Sequence, residues 1–136
     1  MALRFRAAVE ARDHAGMVAA VAPDVKLYSP VTFAPFEGRE TVAQVFAALL
    51  ETFEDFRYTD EFDAADGSRA LIFRARVGDR ELEGIDILRF DDDGLVADFT
   101  VMVRPLTGAM ALAEAVGRKL GVVEEPAVEQ ASGGAA

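Results

Sequence analysis

The chain has 136 residues, 51% of them hydrophobic, and a formal net charge of −10, which is enough apolar side chain for one core and a charge that repels phosphate backbones and anionic lipid. No basic stripe offsets that charge and no window approaches the length of a membrane span, so neither nucleic acid nor a membrane is an expected partner. With no cysteine and one histidine, disulfides, thiolate chemistry and cysteine-ligated zinc are excluded, and no metal or cofactor is expected.

Residues 2 to 22 place Leu3, Ala7, Val9, Met17, Ala20 and Val21 at helical spacings, which predicts two short helices with a break near Arg12 and Asp13 as the second cap. Glu10, Arg12, Asp13 and His14 interrupt any signal-peptide stretch, leaving the cytoplasm as the expected address. Asp24 to Val31 reads as a strand, with Pro23 before it and Pro30 bending its end, and Thr32 to Glu37 as a turn-rich stretch. Val42, Val45, Phe46, Leu49, Leu50 and Phe53 then repeat by three and four, as a long amphipathic helix requires.

From Phe56 onward the period becomes two. Phe56, Tyr58 and Phe62 mark one strand, and Leu71, Phe73, Ala75 and Val77 the next. Asp66-Gly67, Gly78-Asp79 and Asp91-Asp92-Asp93-Gly94 supply tight turns, so four consecutive strands form an antiparallel meander ending with Leu95 to Val103. The triple aspartate lacks the alternating ligands and distal glutamate of a calcium loop and is read as a hairpin turn. Pro105 opens a last helix, Leu106 to Leu120, with Met110, Leu112, Ala113, Val116 and Leu120 on its apolar face. The expected organisation is one domain over 1–120 and a mobile acidic and Gly/Ala-containing tail over 121–136.

The order helix, helix, strand, long helix, meander resembles the nuclear transport factor 2-like superfamily, and so do particular segments. Ala22-Pro23-Asp24-Val25, Ser29-Pro30, Pro35-Phe36-Glu37-Gly38-Arg39-Glu40 and Gly84 through Gly94 are similar to the SnoaL-like and ketosteroid isomerase branches, over roughly residues 3 to 105. The resemblance implies an α+β, cystatin-like cone, in which a curved, mainly antiparallel sheet is wrapped by three to four helices around an apolar pocket. It does not decide whether the last helix closes the cone or covers its outer wall. One such fold hosts many reactions and pure binding modules.

Asp86 is the expected catalytic residue. It shares a strand face with Leu82, Gly84, Leu88 and Phe90, so one acid interrupts an apolar row. The resemblance places it where ketosteroid isomerases keep a protonated aspartic acid that donates to the developing oxyanion. Two readings stay open: a desolvated carboxyl able to transfer a proton, or one that organises the sheet by hydrogen bonding. The isomerase general base is replaced by Ser29, better read as bonding the bend at Pro30, and the first-helix tyrosine by Phe5. An epoxide-hydrolase arrangement is disfavoured, since Gly84 stands where its arginine would be.

The resemblance implies a pocket lined by Val9, Leu27, Ser29, Val45, Leu49, Tyr58, Phe73, Leu88, Phe99 and Val101, suited to a small hydrophobic, carbonyl-bearing or polycyclic molecule. His14 is expected at the outer edge and Tyr28 away from the pocket. The carboxylates from Glu51 to Asp66 should form a solvated edge that can pair with Arg74 and Arg76. Ile85, Ile87, Thr100 and Met102 make the opposite sheet face unusually apolar, which predicts a homodimer packed through it.

Overall fold

The computed structural model describes residues 3–121. Its elements are α1 (Arg4–Glu10), α2 (His14–Ala19), β1 (Val21–Tyr28), β2 (Phe36–Glu37), α3 (Arg39–Thr52), β3 (Glu54–Asp63), β4 (Arg69–Val77), β5 (Arg80–Phe90), β6 (Val96–Arg104) and α4 (Leu106–Leu120). The expected tail, from residue 122 onward, lies outside the described residues.

The break between α1 and α2 has a local cause. Arg12 adopts a left-handed backbone (φ 55°), and the Asp13 carboxylate then accepts from the Gly16 N–H at 3.0 Å, capping α2. In α3, Val42, Val45, Phe46 and Ala48 are buried, the face that its periodicity selects.

The strands form a single sheet in the order β2-β1-β6-β5-β4-β3. The predicted meander β3 to β6 is present, and β1 joins it by pairing parallel to β6, with Leu27 beside Phe99. Register shifts interrupt the β1–β6, β3–β4 and β5–β6 ladders, and such bulges add the twist and bend that turn a sheet into a cone.

Two boundaries differ from expectation. β1 runs from Val21 to Tyr28 rather than from Asp24 to Val31, so Pro23 lies inside it and Pro30 beyond it. The proline is tolerated because the β1–β6 register slips between Val21 and Lys26, where no ladder N–H is needed. The turn-rich stretch also ends in a two-residue strand, β2, that pairs with Lys26 and Leu27.

The concave face carries the core. Phe5, Phe46 and Phe99 meet with ring centroids 5.0 to 5.7 Å apart, joining α1, α3 and β6. A second aromatic group, Phe53, Phe56, Tyr58 and Phe73, spans the α3–β3 junction and β4. Gly84 makes room for it: a Cβ there would sit 2.2 Å from Phe73 Cζ. Helix α4 packs on α3 and on β4, β5 and β6. Its Gly108 lies so close to β5 that a Cβ would come within 2.9 Å of Leu82 Cβ.

The acidic edge is laced to arginines. Arg76 pairs with Glu54 and Asp55, Arg6 and Arg69 with Glu61, and Arg74 with Glu83 of β5. The Asp91 carboxylate accepts from the N–H groups of Asp93 (2.9 Å) and Leu95 (3.0 Å), which makes the triple aspartate a hairpin turn. Among the described residues no group of three or more potential ligands could hold a metal ion, and no helix is long and apolar enough to cross a membrane.

Candidate functional site

The alternation of β5 decides where its acid goes. Leu82, Gly84, Asp86 and Leu88 are all buried on the concave face, while Glu81 and Arg89 are exposed. Asp86 is only 6% exposed, and its carboxyl makes no hydrogen bond or ion pair with any described residue. Burial pushes its pKa from the ordinary 3.8 up to about 8, because the anion has lost water and gained no partner.

Asp86 opens into a cavity of about 1740 Å³. Its deep wall is apolar, with Phe5, Phe46, Phe53, Phe56, Phe73 and Phe99 all contributing, and the half-exposed Val31 and Met110 stand at its mouth. Nine of the ten expected binding residues line it: Val9, Leu27, Ser29, Val45, Leu49, Tyr58, Phe73, Phe99 and Val101. Leu88 does not. It shares the face of Asp86 but is fully buried in the solid core, paired with Phe99 on one side and Arg69 on the other. Helix α4 closes the cone, since Met110, Leu112, Val116 and Leu120 line the same space.

Tyr58 is the second polar group of the deep wall. Its hydroxyl is buried and has no hydrogen-bond partner among the described residues. Desolvation, and then the nearby charge of Asp86, raise its pKa above the usual phenol range, so it stays a neutral donor. The Arg6 guanidinium stacks over its ring at 5.2 Å. The sequence pattern identified Tyr58 as able to reach the pocket, but alternation gives no sign that its hydroxyl would lack a partner.

Ser29 reaches the cavity edge, yet its hydroxyl accepts from the N–H groups of Val31 (3.2 Å) and Thr32 (3.4 Å), which ties it to the bend. His14 does not line the cavity; it is half-buried, with Nε2 donating to the Ala43 carbonyl at 2.7 Å, and ties α2 to α3. Tyr28 also lies outside the lining. Sequence reasoning missed Phe53 and Phe56 as wall residues. Their signal was an aromatic pair straddling the change from helical to strand period.

Residues 2–99 match the SnoaL-like domain, and the chain belongs to that family. Among solved structures it is similar to a steroid delta-isomerase from Pseudomonas aeruginosa, with 45% identity over 85% of both chains and a TM-score of 0.81. It is also similar to an uncharacterised protein with a cystatin-like fold from Silicibacter pomeroyi DSS-3, with 28% identity, 88% and 84% of the two chains covered and a TM-score of 0.82. At 20% identity a nuclear transport factor 2-like protein from Mesorhizobium loti shares the fold (TM-score 0.65, 75% of this chain and 86% of that one). No functionally curated protein matches the chain.

Proposed function

We propose that this protein binds a small hydrophobic, carbonyl-bearing or polycyclic molecule and moves a proton on it through Asp86, in an isomerase-, cyclase- or lyase-type reaction. The observation that carries this reading is the pair of unsatisfied polar heads, the Asp86 carboxyl and the Tyr58 hydroxyl, in an otherwise apolar cavity. Each such group costs free energy that a ligand oxygen or a transferable proton offsets.

The roles divide by chemistry. Tyr58 remains protonated and donates to the ligand's carbonyl oxygen, where negative charge grows as a proton leaves the adjacent carbon. Asp86 is ionised in about one molecule in ten at neutral pH, given its pKa of about 8, and that carboxylate accepts the carbon's proton and returns it elsewhere. The similarity to a steroid delta-isomerase supports a steroid-sized ketone as the substrate class.

A β,γ-unsaturated steroid ketone tests this directly through the absorbance of its conjugated product. Turnover should climb with pH to a plateau above about 8, and Asp86→Asn should lose at least about a hundredfold in rate while still binding. A rate that instead falls through that pKa would contradict the carboxylate's role as base.

One observation favours a second reading, a non-catalytic binding module: Ser29, at the position of the isomerase base, is tied to its turn. Retained binding of the ketone with no turnover at any pH would select it.

We further propose a cytoplasmic homodimer packed through the convex sheet face, where Met102 is 51% exposed and Ile85, Ile87 and Thr100 are half-buried. A monomeric mass by light scattering would refute the dimer.

A further inference from the structure

The register of the sheet matches each charge with its opposite. Among the directly opposed residues of its ladders, Glu54 faces Arg76, Arg76 faces Glu81, Arg74 faces Glu83, Glu83 faces Arg104 and Arg89 faces Asp98. One pair breaks the rule: Arg57 of β3 stands opposite Arg74 of β4. Side chains so placed have their Cβ atoms about 5 Å apart, and two like charges there repel.

The exception has a structural origin. Asp55 takes a left-handed backbone (φ 55°), and the β3–β4 register slips between Glu54 and Arg57. That bulge turns Phe56 toward the stacked ring of Phe73 on the concave side and leaves Arg57 outside, in the convex row Arg57, Arg74, Glu83, Arg104. The row holds three guanidiniums and one carboxylate. Glu83 is shared by Arg74 (3.3 Å) and Arg104 (3.0 Å), while Arg57 donates only to the Asp55 backbone carbonyl (3.0 Å). Arg76 holds both Glu54 and Asp55. Glu81, opposite Arg76 in the next row, has no ion pair with any described residue.

All four arginines, with Asp55, Glu81 and Glu83, line one cleft of about 420 Å³. It is separate from the apolar cavity: Asp55 and Arg57, on the edge strand, are the two residues that border both. Four guanidiniums thus gather around three carboxylates in a chain whose net charge is −10.

We propose that this cleft binds a tetrahedral oxyanion, a sulfate or phosphate either free or borne by a larger molecule, between Arg57 and Arg74. A guanidinium presents a fixed fork of donors that matches such oxygens, so an anion there converts the one repulsive pair of the sheet into two charge-assisted contacts. The site is independent of what the apolar cavity holds.

The test titrates the full chain and its Arg57→Gln variant with sodium sulfate and with phenyl phosphate, exchanged against chloride at constant ionic strength, and follows the arginine Nε–H signals by nuclear magnetic resonance. Sulfate should shift the Arg57 and Arg74 signals along one saturating curve, and in the variant the Arg74 response should weaken at least about tenfold. A tighter response to phenyl phosphate than to sulfate assigns the site to the head of a larger molecule, and an equal or weaker one to the free ion. In chloride alone the variant should melt about 1–4 °C above the unmodified chain, because the repulsion is gone, and saturating sulfate should remove that advantage. Small linear shifts of all the arginines alike mean screening only and overturn the site. A saturating Arg74 response that is unchanged in the variant overturns the assignment to this pair, and so does a variant no more stable than the unmodified chain in chloride. If the variant's advantage fades at high protein concentration without sulfate, a carboxylate of a second copy fills the cleft and the small anion is overturned.

Discussion

Burial raises the pKa of the Tyr58 hydroxyl on β3, and the charge of Asp86 on β5 raises it further, although β4 lies between the two strands. Curvature brings this about: Tyr58 stands opposite Phe73, Phe73 opposite Gly84, and Gly84 is two residues from Asp86 on one face. The two groups are therefore coupled through the cavity rather than along the backbone.

The burial of Tyr58 without a hydrogen-bond partner has a cost. A buried hydroxyl without a partner is destabilising, so Tyr58→Phe should make the empty protein more stable by about 1 kcal/mol in urea unfolding. The same variant should bind a carbonyl ligand more weakly. A stability loss with unchanged binding would show that the hydroxyl serves the fold.

The pH dependence of stability follows from Asp86. Its pKa is about 8 folded and 3.8 ordinarily, so between these values the folded state holds a proton that the unfolded state has released. This contribution is present at low pH and is lost as pH rises, at up to about 1.4 kcal/mol per pH unit. Unfolding in urea at about pH 5 and about pH 8 should show a fall of up to roughly 4 kcal/mol, and Asp86→Asn should flatten it.

Gly84→Ala should destabilise the fold by about 1–3 kcal/mol, because its Cβ would strike the Phe73 ring and displace the aromatic wall. Thermal unfolding with near-ultraviolet circular dichroism checks both effects. A fully stable variant would mean that the ring moves freely aside.

Asp13→Ala should cost about 1 kcal/mol by removing the cap that its carboxylate provides to the Gly16 N–H. Far-ultraviolet circular dichroism during thermal unfolding measures it. Asp13→Asn should restore most of the loss, since an amide oxygen accepts the same bond.

Elements with a sustained period were legible in the sequence. The apolar spacing of Val42 to Leu50 marked α3, and strict alternation around Phe73 and Asp86 marked β4 and β5, including the acid in an apolar row. Where the period fails, so does the reading: Pro23 hid the start of β1, and Phe36–Glu37 is too short to show alternation. Parity also gives a face without a depth, which is why Leu88 was placed with the cavity and lies instead in the core. The apolar stripe of α4 showed that the helix is covered but not by what. The commitment of the Ser29 hydroxyl and the isolation of Tyr58 depend on atoms brought from other elements, which no local pattern records.

The parallel pairing of β1 with β6 bears on how the molecule comes to exist. Leu27 and Phe99 sit side by side in the sheet but near opposite ends of the domain's sequence. Closing so long a loop is entropically slow, and it cannot begin until the last strand has been synthesised. During translation, α3 emerges with α1, α2 and β1 to meet, while Phe99 of β6, which completes the cover of Phe46, is still to come. A ligand therefore cannot act as a template for the nascent chain: its chamber forms in the final docking step, and only then can occupancy help to hold the fold closed.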